Sequence, residues 1–229
     1  MSDAANPRHA VVTGVSSGIG AAIAARLLRE GWRVTGISRS APAVTEAGFD
    51  HRAADLSDPA GLEAALDGLA PRALVHAAGL LRTNPIGSLK PEDGQAMWRL
   101  HVDATERLAN RLLPAMPDGG RMVLIGSRTA TGAPGRSQYA ASKAAMLALA
   151  RSWAAELAPR GITVNVVAPA ATETPMLRDP ARAGVPPRVP PIGRFIRPEE
   201  VAALVAFLLS EEAGAITGQG ITVCGGSSL

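Results

Sequence analysis

Short apolar runs alternate along this chain with longer stretches in which apolar positions recur every three or four residues. His9–Thr13, Trp32–Ser38, His51–Leu56, Ala73–Ala77, Arg121–Ser127, Ile162–Ala168 and Ile221–Cys224 are runs of strand length. Between the first two, Ile19, Ile23 and Leu27 share one stripe of a helix that ends near Gly31. Ser57 or Asp58 caps a second helix, with Pro59 in its first turn, that runs to about Leu69. Pro91 to Met116 reads as one long helix with Leu100, Leu108 and Leu112 on or near one face. A further helix carries Met146, Leu149, Trp153 and Leu157 on its core stripe and ends near Gly161. Pro198-Glu199-Glu200 opens the last helix, which continues through Leu209. This alternation predicts an α/β chain: a doubly wound parallel β-sheet of about seven strands with helices on both faces, in one domain over 1–229. Two segments fall outside the pattern. Residues 1–8 form a polar tail, and about 170–197, rich in Pro and Arg, form a loop suited to cover a substrate site as a lid.

Composition narrows the classes. The 229 residues are 47% hydrophobic and 19% charged, which suits one globular domain, and at 3% aromatic the core must be aliphatic. The net charge is only +3, with no basic run or aromatic platform, so a nucleic-acid partner is not expected. No apolar run approaches the roughly 18 residues that span a membrane, and the N-terminus has no apolar signal region. Cys224 is the single cysteine, which excludes an intrachain disulfide and gives no metal site. It is expected as a buried, inert thiol in the last strand, and the cytoplasm is the expected compartment.

The candidate chemistry begins after the first run. Gly14-Val15-Ser16-Ser17-Gly18-Ile19-Gly20 joins a strand to a helix, the first unit of a Rossmann-type dinucleotide-binding fold. Its glycines let backbone approach a pyrophosphate, and the helix N-terminus faces that charge with free N–H groups. At the end of the second strand, where an acidic residue would bind a ribose 2′-hydroxyl, stand Ser38 and Arg39. That favours NADP(H) over NAD(H). Ala77-Ala78-Gly79 would let backbone approach a flat ligand, and His76 before them is expected as a hydrogen-bonded structural histidine. Tyr139, the only tyrosine, precedes Lys143 by four residues, one helical turn, and Lys143 is one of two lysines. An ammonium beside a phenol lowers its pKa and suits it to move a proton.

Together these motifs resemble the short-chain dehydrogenase/reductase family over nearly the whole chain. Thr13 to Gly20 is similar to its TGxxxGxG loop and Tyr139 to Lys143 to its YxxxK pair. Asn165 to Met176 resembles the segment over the nicotinamide, Ile192-Gly193-Arg194 and Pro198–Ala202 the motif opening its last helix, and Phe207 to Gly226 its C-terminal end. The resemblance implies Ser127, twelve residues before the tyrosine, as the serine that holds the substrate oxygen. It implies Tyr139 as general acid and Lys143 as the group that holds the nicotinamide ribose. Gly14, Ser16, Ser17, Gly18, Ile19 and Gly20, with Asp55 and Leu56, would contact the cofactor, and Pro169, Thr172 and Thr174 the carboxamide. The family's fourth catalytic residue, an asparagine, aligns with Asp103, which would bring a carboxylate near Lys143. Two further departures are His76-Ala77-Ala78-Gly79 in place of NNAG and Ala170 in place of a glycine.

The implied activity is an NADP(H)-dependent oxidoreductase transferring hydride between nicotinamide and a small-molecule carbonyl or secondary alcohol. A 3-oxoacyl-carrier-protein reductase is the near alternative, with Arg178, Arg182 and Arg188 available to an acidic carrier or anionic substrate. A cofactor-binding sensor or scaffold without turnover is the alternative of another class. The resemblance also implies a homo-oligomer, tetramer or dimer, for which Ala140, Ala141, Ala144, Ala145 and Ala148 would permit close helix approach.

Overall fold

The computed structural model describes residues 8–44, 46–179 and 186–229. Positions 1–7 of the tail and 180–185 of the lid, Arg182 among them, lie outside the described residues. The strands are β1 (His9–Thr13), β2 (Arg33–Ser38), β3 (Phe49–Ala53), β4 (Ala73–His76), β5 (Arg121–Ile125), β6 (Thr163–Pro169) and β7 (Gly220–Val223). They form one sheet in the order β3-β2-β1-β4-β5-β6-β7, and every pairing is parallel. The helices are α1 (Gly18–Arg29), α2 (Pro59–Leu66), α3 (Pro91–Trp98), α4 (Ala104–Leu112), α5 (Ser137–Leu157) and α6 (Pro198–Leu209).

The strands read as nearly continuous apolar runs because both faces of the sheet are covered. Val11, Leu74, Met122 and Leu124 point into one core with Leu62 and Leu66 of α2, Leu108 and Leu112 of α4, and Met146 of α5. Val12, Val75 and Val123 point the other way, into a second core with Ile23 and Leu27 of α1 and Val201, Val205 and Leu208 of α6. The period of two along each strand thus assigns neighbouring residues to opposite layers. Each end of α2 has a visible cause. The Asp58 carboxylate accepts from the N–H groups of Ala60 and Gly61, and Gly68 takes a left-handed φ of +68° just past the helix.

Several boundaries differ from the sequence expectation. β3 starts and ends earlier than His51–Leu56, because its partner β2 ends at Ser38. The last rung is Ser38 with Ala53, and the Ala54 N–H closes it on the Ser38 carbonyl at 3.2 Å. The stripe of α5 is also narrower. Met146, Ala150, Ala154 and Leu157 are buried, while Leu149 and Trp153 sit half-buried at its margin. Cys224 lies just beyond β7 and is half-buried rather than enclosed, and hydrogen bonds from Ser228 and from the following N–H groups lower its thiol pKa. The largest difference is in the expected long helix. Residues Arg99–Asp103 form a π-turn between α3 and α4.

No helix among the described residues is long and apolar enough to cross a membrane. The chain leaves β1 toward β2 and β3 on one side and toward β4 to β7 on the other. The strand order therefore reverses between β1 and β4, where a doubly wound sheet opens a crevice at the C-terminal strand ends.

Candidate active site

Thr13, the last residue of β1, shapes this crevice. The N–H groups of Ala77 and Ala78 both donate to its Oγ1 at 3.1 Å. Its hydroxyl then has one proton left, which goes to Nδ1 of His76 at 2.9 Å. The ring is fixed as the Nε2–H tautomer and donates to the Leu100 carbonyl at 3.0 Å. Burial and the nearby Lys143 charge hold His76 down to about 3, so it is neutral. Its structural role matches the sequence expectation, and its ring ties β4 to the turn of Arg99–Asp103.

The glycine loop follows directly. Gly14 has φ +73°, and a Cβ there would lie 2.8 Å from the backbone of Ala78. At Gly20 a Cβ would lie 2.3 Å from the Gly14 carbonyl oxygen, so the first turn of α1 packs on the loop that precedes it. Gly18, with φ +58°, approaches the Thr174 side chain. Ser16 and Ser17 are exposed at the start of α1, and Ser17 makes no side-chain cap. The loop is thus a cradle of backbone that side chains at these glycines would fill, which fits a dinucleotide pyrophosphate.

Further along the same strand ends, the Ser38 hydroxyl donates to the Ser40 carbonyl and bonds His51, and Arg39 is exposed beside it. The Asp55 carboxylate accepts from the Ser57 N–H at 2.9 Å, and the Leu56 side chain belongs to the core.

On the other side of the reversal is a cavity of about 570 Å³. It brings Ser127, Tyr139 and Lys143 together. Ile19, Ala77 and Gly79 line it from the glycine-loop side, and Pro169, Thr172 and Thr174 from the segment after β6. Ala170, the residue in place of a glycine, lines it too. The Ser127 hydroxyl accepts from the Thr129 N–H at 3.2 Å and shares a 2.9 Å hydrogen bond with the Thr129 hydroxyl. The Lys143 Nζ donates to the Ile125 carbonyl at 2.8 Å and lies 5.9 Å from the centre of the Tyr139 ring. Burial lowers its pKa to about 7.

The residue that sequence reasoning placed in the fourth position requires correction. Asp103 does not line the cavity, and no carboxylate contributes to the Lys143 shift. His101 does not line it either, but it is the residue of this turn that packs against Tyr139, buried behind the cavity wall. Its ring stands edge-on to Tyr139 with centroids 5.6 Å apart, and its Nε2 accepts from the Leu80 N–H at 3.1 Å. Because the Ser142 hydroxyl donates to the Tyr139 carbonyl, His101 Nδ1–H must donate to Ser142 at 2.9 Å. Burial and the Lys143 charge keep His101 well below its ordinary pKa, hence neutral. Two residues along a helical turn point a side chain to nearly the opposite side, so Asp103 faces away from this network. The signal was present in the sequence. Met97, His101, Thr105, Leu108 and Leu112 fall at spacings of four, four, three and four, the stripe that is buried here. Ser142 carried no such signal.

Comparison with known proteins adds a separate line of support. Residues 14–228 match the family described as enoyl-(acyl carrier protein) reductase. The 3-oxoacyl-(acyl-carrier-protein) reductase of Escherichia coli is 38% identical over 234 residues, covering 95% of this chain and 96% of its own. Among solved structures, the ligand-free aldohexose dehydrogenase of Thermoplasma acidophilum has a TM-score of 0.88 at 31% identity, covering 97% of this chain and 94% of that one. An actinorhodin polyketide ketoreductase variant solved with NADPH has a TM-score of 0.87 at 30% identity, covering 97% of each chain.

Proposed function

This chain belongs to the short-chain dehydrogenase/reductase family of oxidoreductases, and from that premise we propose that it reduces a ketone or aldehyde, or oxidises the secondary alcohol, with NADP(H). The observation that carries the proposal is the convergence of Ser127, Tyr139 and a fully buried Lys143 on one cavity beside the glycine loop.

When bound, the nicotinamide supplies the hydride. In the reducing direction the Tyr139 hydroxyl gives its proton to the substrate oxygen. The Lys143 ammonium favours the phenolate that remains, with more force in this dry site than in water. Ser127 donates its hydroxyl proton to the same oxygen as charge develops there, which Thr129 allows by donating to Ser127 in turn. His101 and Ser142 hold the backbone of Tyr139 from behind. Gly14, Gly18 and Gly20 would hold the pyrophosphate, Ala77 to Gly79 the rings, and Thr172 and Thr174 the carboxamide. What supports NADP(H) over NAD(H) is that Arg39 is exposed directly after β2, and that Ser38 stands at the end of that strand in place of an acid.

A second reading, reduction of a 3-oxoacyl thioester on a carrier protein, is favoured by the relative that is 38% identical. For assembly, the exposed Ala141 and Ala148 of α5 and the 45% exposed Trp98 at the end of α3 support a homotetramer or dimer. The cytoplasm is the setting we propose, given a single cysteine and no disulfide.

The test is oxidation of NADPH, with NADH in parallel, over ketones, aldehydes and 3-oxoacyl thioesters, for the wild type and Tyr139→Phe. The expected result is turnover that falls by about 10³-fold in Tyr139→Phe while cofactor affinity is kept. Turnover independent of Tyr139 would reject the mechanism. NADPH binding without turnover on any carbonyl would favour the sensor reading.

A further inference from the structure

The cavity that holds Ser127 and Tyr139 has an unbalanced charge. Arg128 directly follows Ser127 and opens the 3-10 turn Arg128–Thr131 at the end of β5. Arg136 precedes α5 by one residue and Tyr139 by three. Arg188 comes from a different segment, the one that also supplies Val189 and Pro191 to the lining. All three line the cavity together with Lys143, and no Asp or Glu does so among the described residues.

Elsewhere the arginines of this chain are commonly matched to acids. Arg26 pairs with Glu30, Arg82 with Asp93 and Asp179, Arg111 with Glu63 and Asp67, Arg160 with Asp118, and Arg194 with Glu200. Among the described residues no such ion pair involves Arg128 or Arg188. With a net charge of only +3 for the whole protein, this clustering is local. Like charges at the mouth of a low-dielectric cleft repel one another and focus a positive potential into it. The arrangement is relieved when an anion enters.

We propose that the substrate carries an oxyanion, a carboxylate or phosphate set apart from the reacting carbonyl, and that Arg128 and Arg188 hold it, with Arg136 alongside. The inference rests on the carbonyl-reducing function proposed above and names its substrate class. The carbonyl carbon takes hydride from NADPH and the carbonyl oxygen takes a proton from Tyr139, giving the secondary alcohol and NADP⁺. The oxyanion keeps all its bonds and serves as a handle. Guanidinium groups suit it because their planar donor forks match carboxylate and phosphate oxygens. The position of Arg128 beside Ser127 assigns the handle to the substrate. The cofactor's phosphates have their own cradle at Gly14, Gly18 and Gly20.

The test compares oxohexanoates, with the carbonyl at successive carbons, against their ethyl esters, and dihydroxyacetone phosphate against dihydroxyacetone. Wild-type protein, Arg128→Gln and Arg188→Gln are each assayed with NADPH. The expected result is a preference of about tenfold or more in kcat/KM for the charged member of a pair, falling by a similar factor in each variant. Added salt should erode the preference too. The carboxylate and phosphate arms show which oxyanion is taken. Equal rates for acids and esters, or a preference unmoved in both variants, would overturn the proposal while the reductase reading stands. A variant effect confined to the KM for NADPH would assign that arginine to the cofactor and overturn it as well. Should no carbonyl be reduced, the reductase reading fails, and calorimetric titration of hexanoate decides the anion site alone. Binding lost in the two variants supports the site, and no binding to the wild type rejects it.

Discussion

Replacing Thr13 by Val keeps the shape of the side chain and removes one oxygen that serves three partners. In the wild type that oxygen accepts from Ala77 and Ala78 and donates to His76, and Thr13 is fully buried. In the variant two N–H groups and one ring nitrogen are left without partners in a site closed to water. Each such loss costs about 1–3 kcal/mol, and because one loop can relax for all three together, the sum should be about 4 kcal/mol. For a chain of this length the melting temperature should drop by about 8–16 °C. Thr13→Ser retains the oxygen and loses one methyl, at a cost of roughly 1 kcal/mol. Thermal melts of the three proteins at one protein concentration, with NADPH titrations followed by fluorescence, give both readouts. The Val variant should melt well below the Ser variant and bind NADPH more weakly, since Ala77 to Gly79 would no longer be held. A Val variant that melts within about 2 °C of the wild type, or above the Ser variant, would refute the reasoning.

Other expectations follow from the same geometry. Arg39→Ala should lower the preference for NADPH over NADH by roughly ten- to a hundredfold, read from the ratio of kcat/KM values, with little effect on NADH itself. Gly20→Ala forces a methyl against the Gly14 carbonyl, so NADPH affinity should fall at least tenfold, as measured by equilibrium titration. His101→Phe and Ser142→Ala should each cost about 1–3 kcal/mol in urea unfolding, and the double variant less than their sum, because both remove the same link. His76 is held at about 3 against an ordinary 6.5, and His101 is also well below it, so the unfolded chain binds more protons than the folded one below about pH 6.5. Stability should therefore fall as pH drops from 6.5 toward 5. Lys143, held at about 7 against an ordinary 10.5, gives the same sign across that higher window, with stability rising with pH. Urea midpoints measured across both windows test the two slopes.

Most of the architecture was legible in the chain because its signals are local. Apolar runs such as Ala73–His76 and the capped start at Asp58-Pro59 are stated by neighbouring residues, and the structure has seven strands with the final helix at Pro198–Leu209 as expected. Where the expectation failed, the deciding partner was remote in sequence. The end of β3 is set by β2, and the burial of Ala150 and Ala154 in place of Trp153 is set by what faces α5. Asp103 was misplaced for a related reason. The family pattern pointed to Asp103, whereas the buried stripe at spacings of four, four, three and four runs through His101. Ser142 was silent, since a serine in an alanine-rich helix reads as filler until His101 is brought to it.

The π-turn at Arg99–Asp103 makes this cleft sensitive to a count. One extra residue is stored between α3 and α4, in the turn from which His101 reaches Ser142 and Tyr139 while Leu108 and Leu112 of α4 meet the core. Removing a single residue there would change no remaining side chain, yet it would rotate α4 by roughly 100° relative to α3. Either His101 would leave Ser142 or the leucines would leave the core. Neighbours can repack around an altered residue here, but they cannot restore a lost one. The stretch from Met97 to Leu112 should therefore accept changes of letter and refuse changes of length, whereas the exposed 86–89 loop can take both.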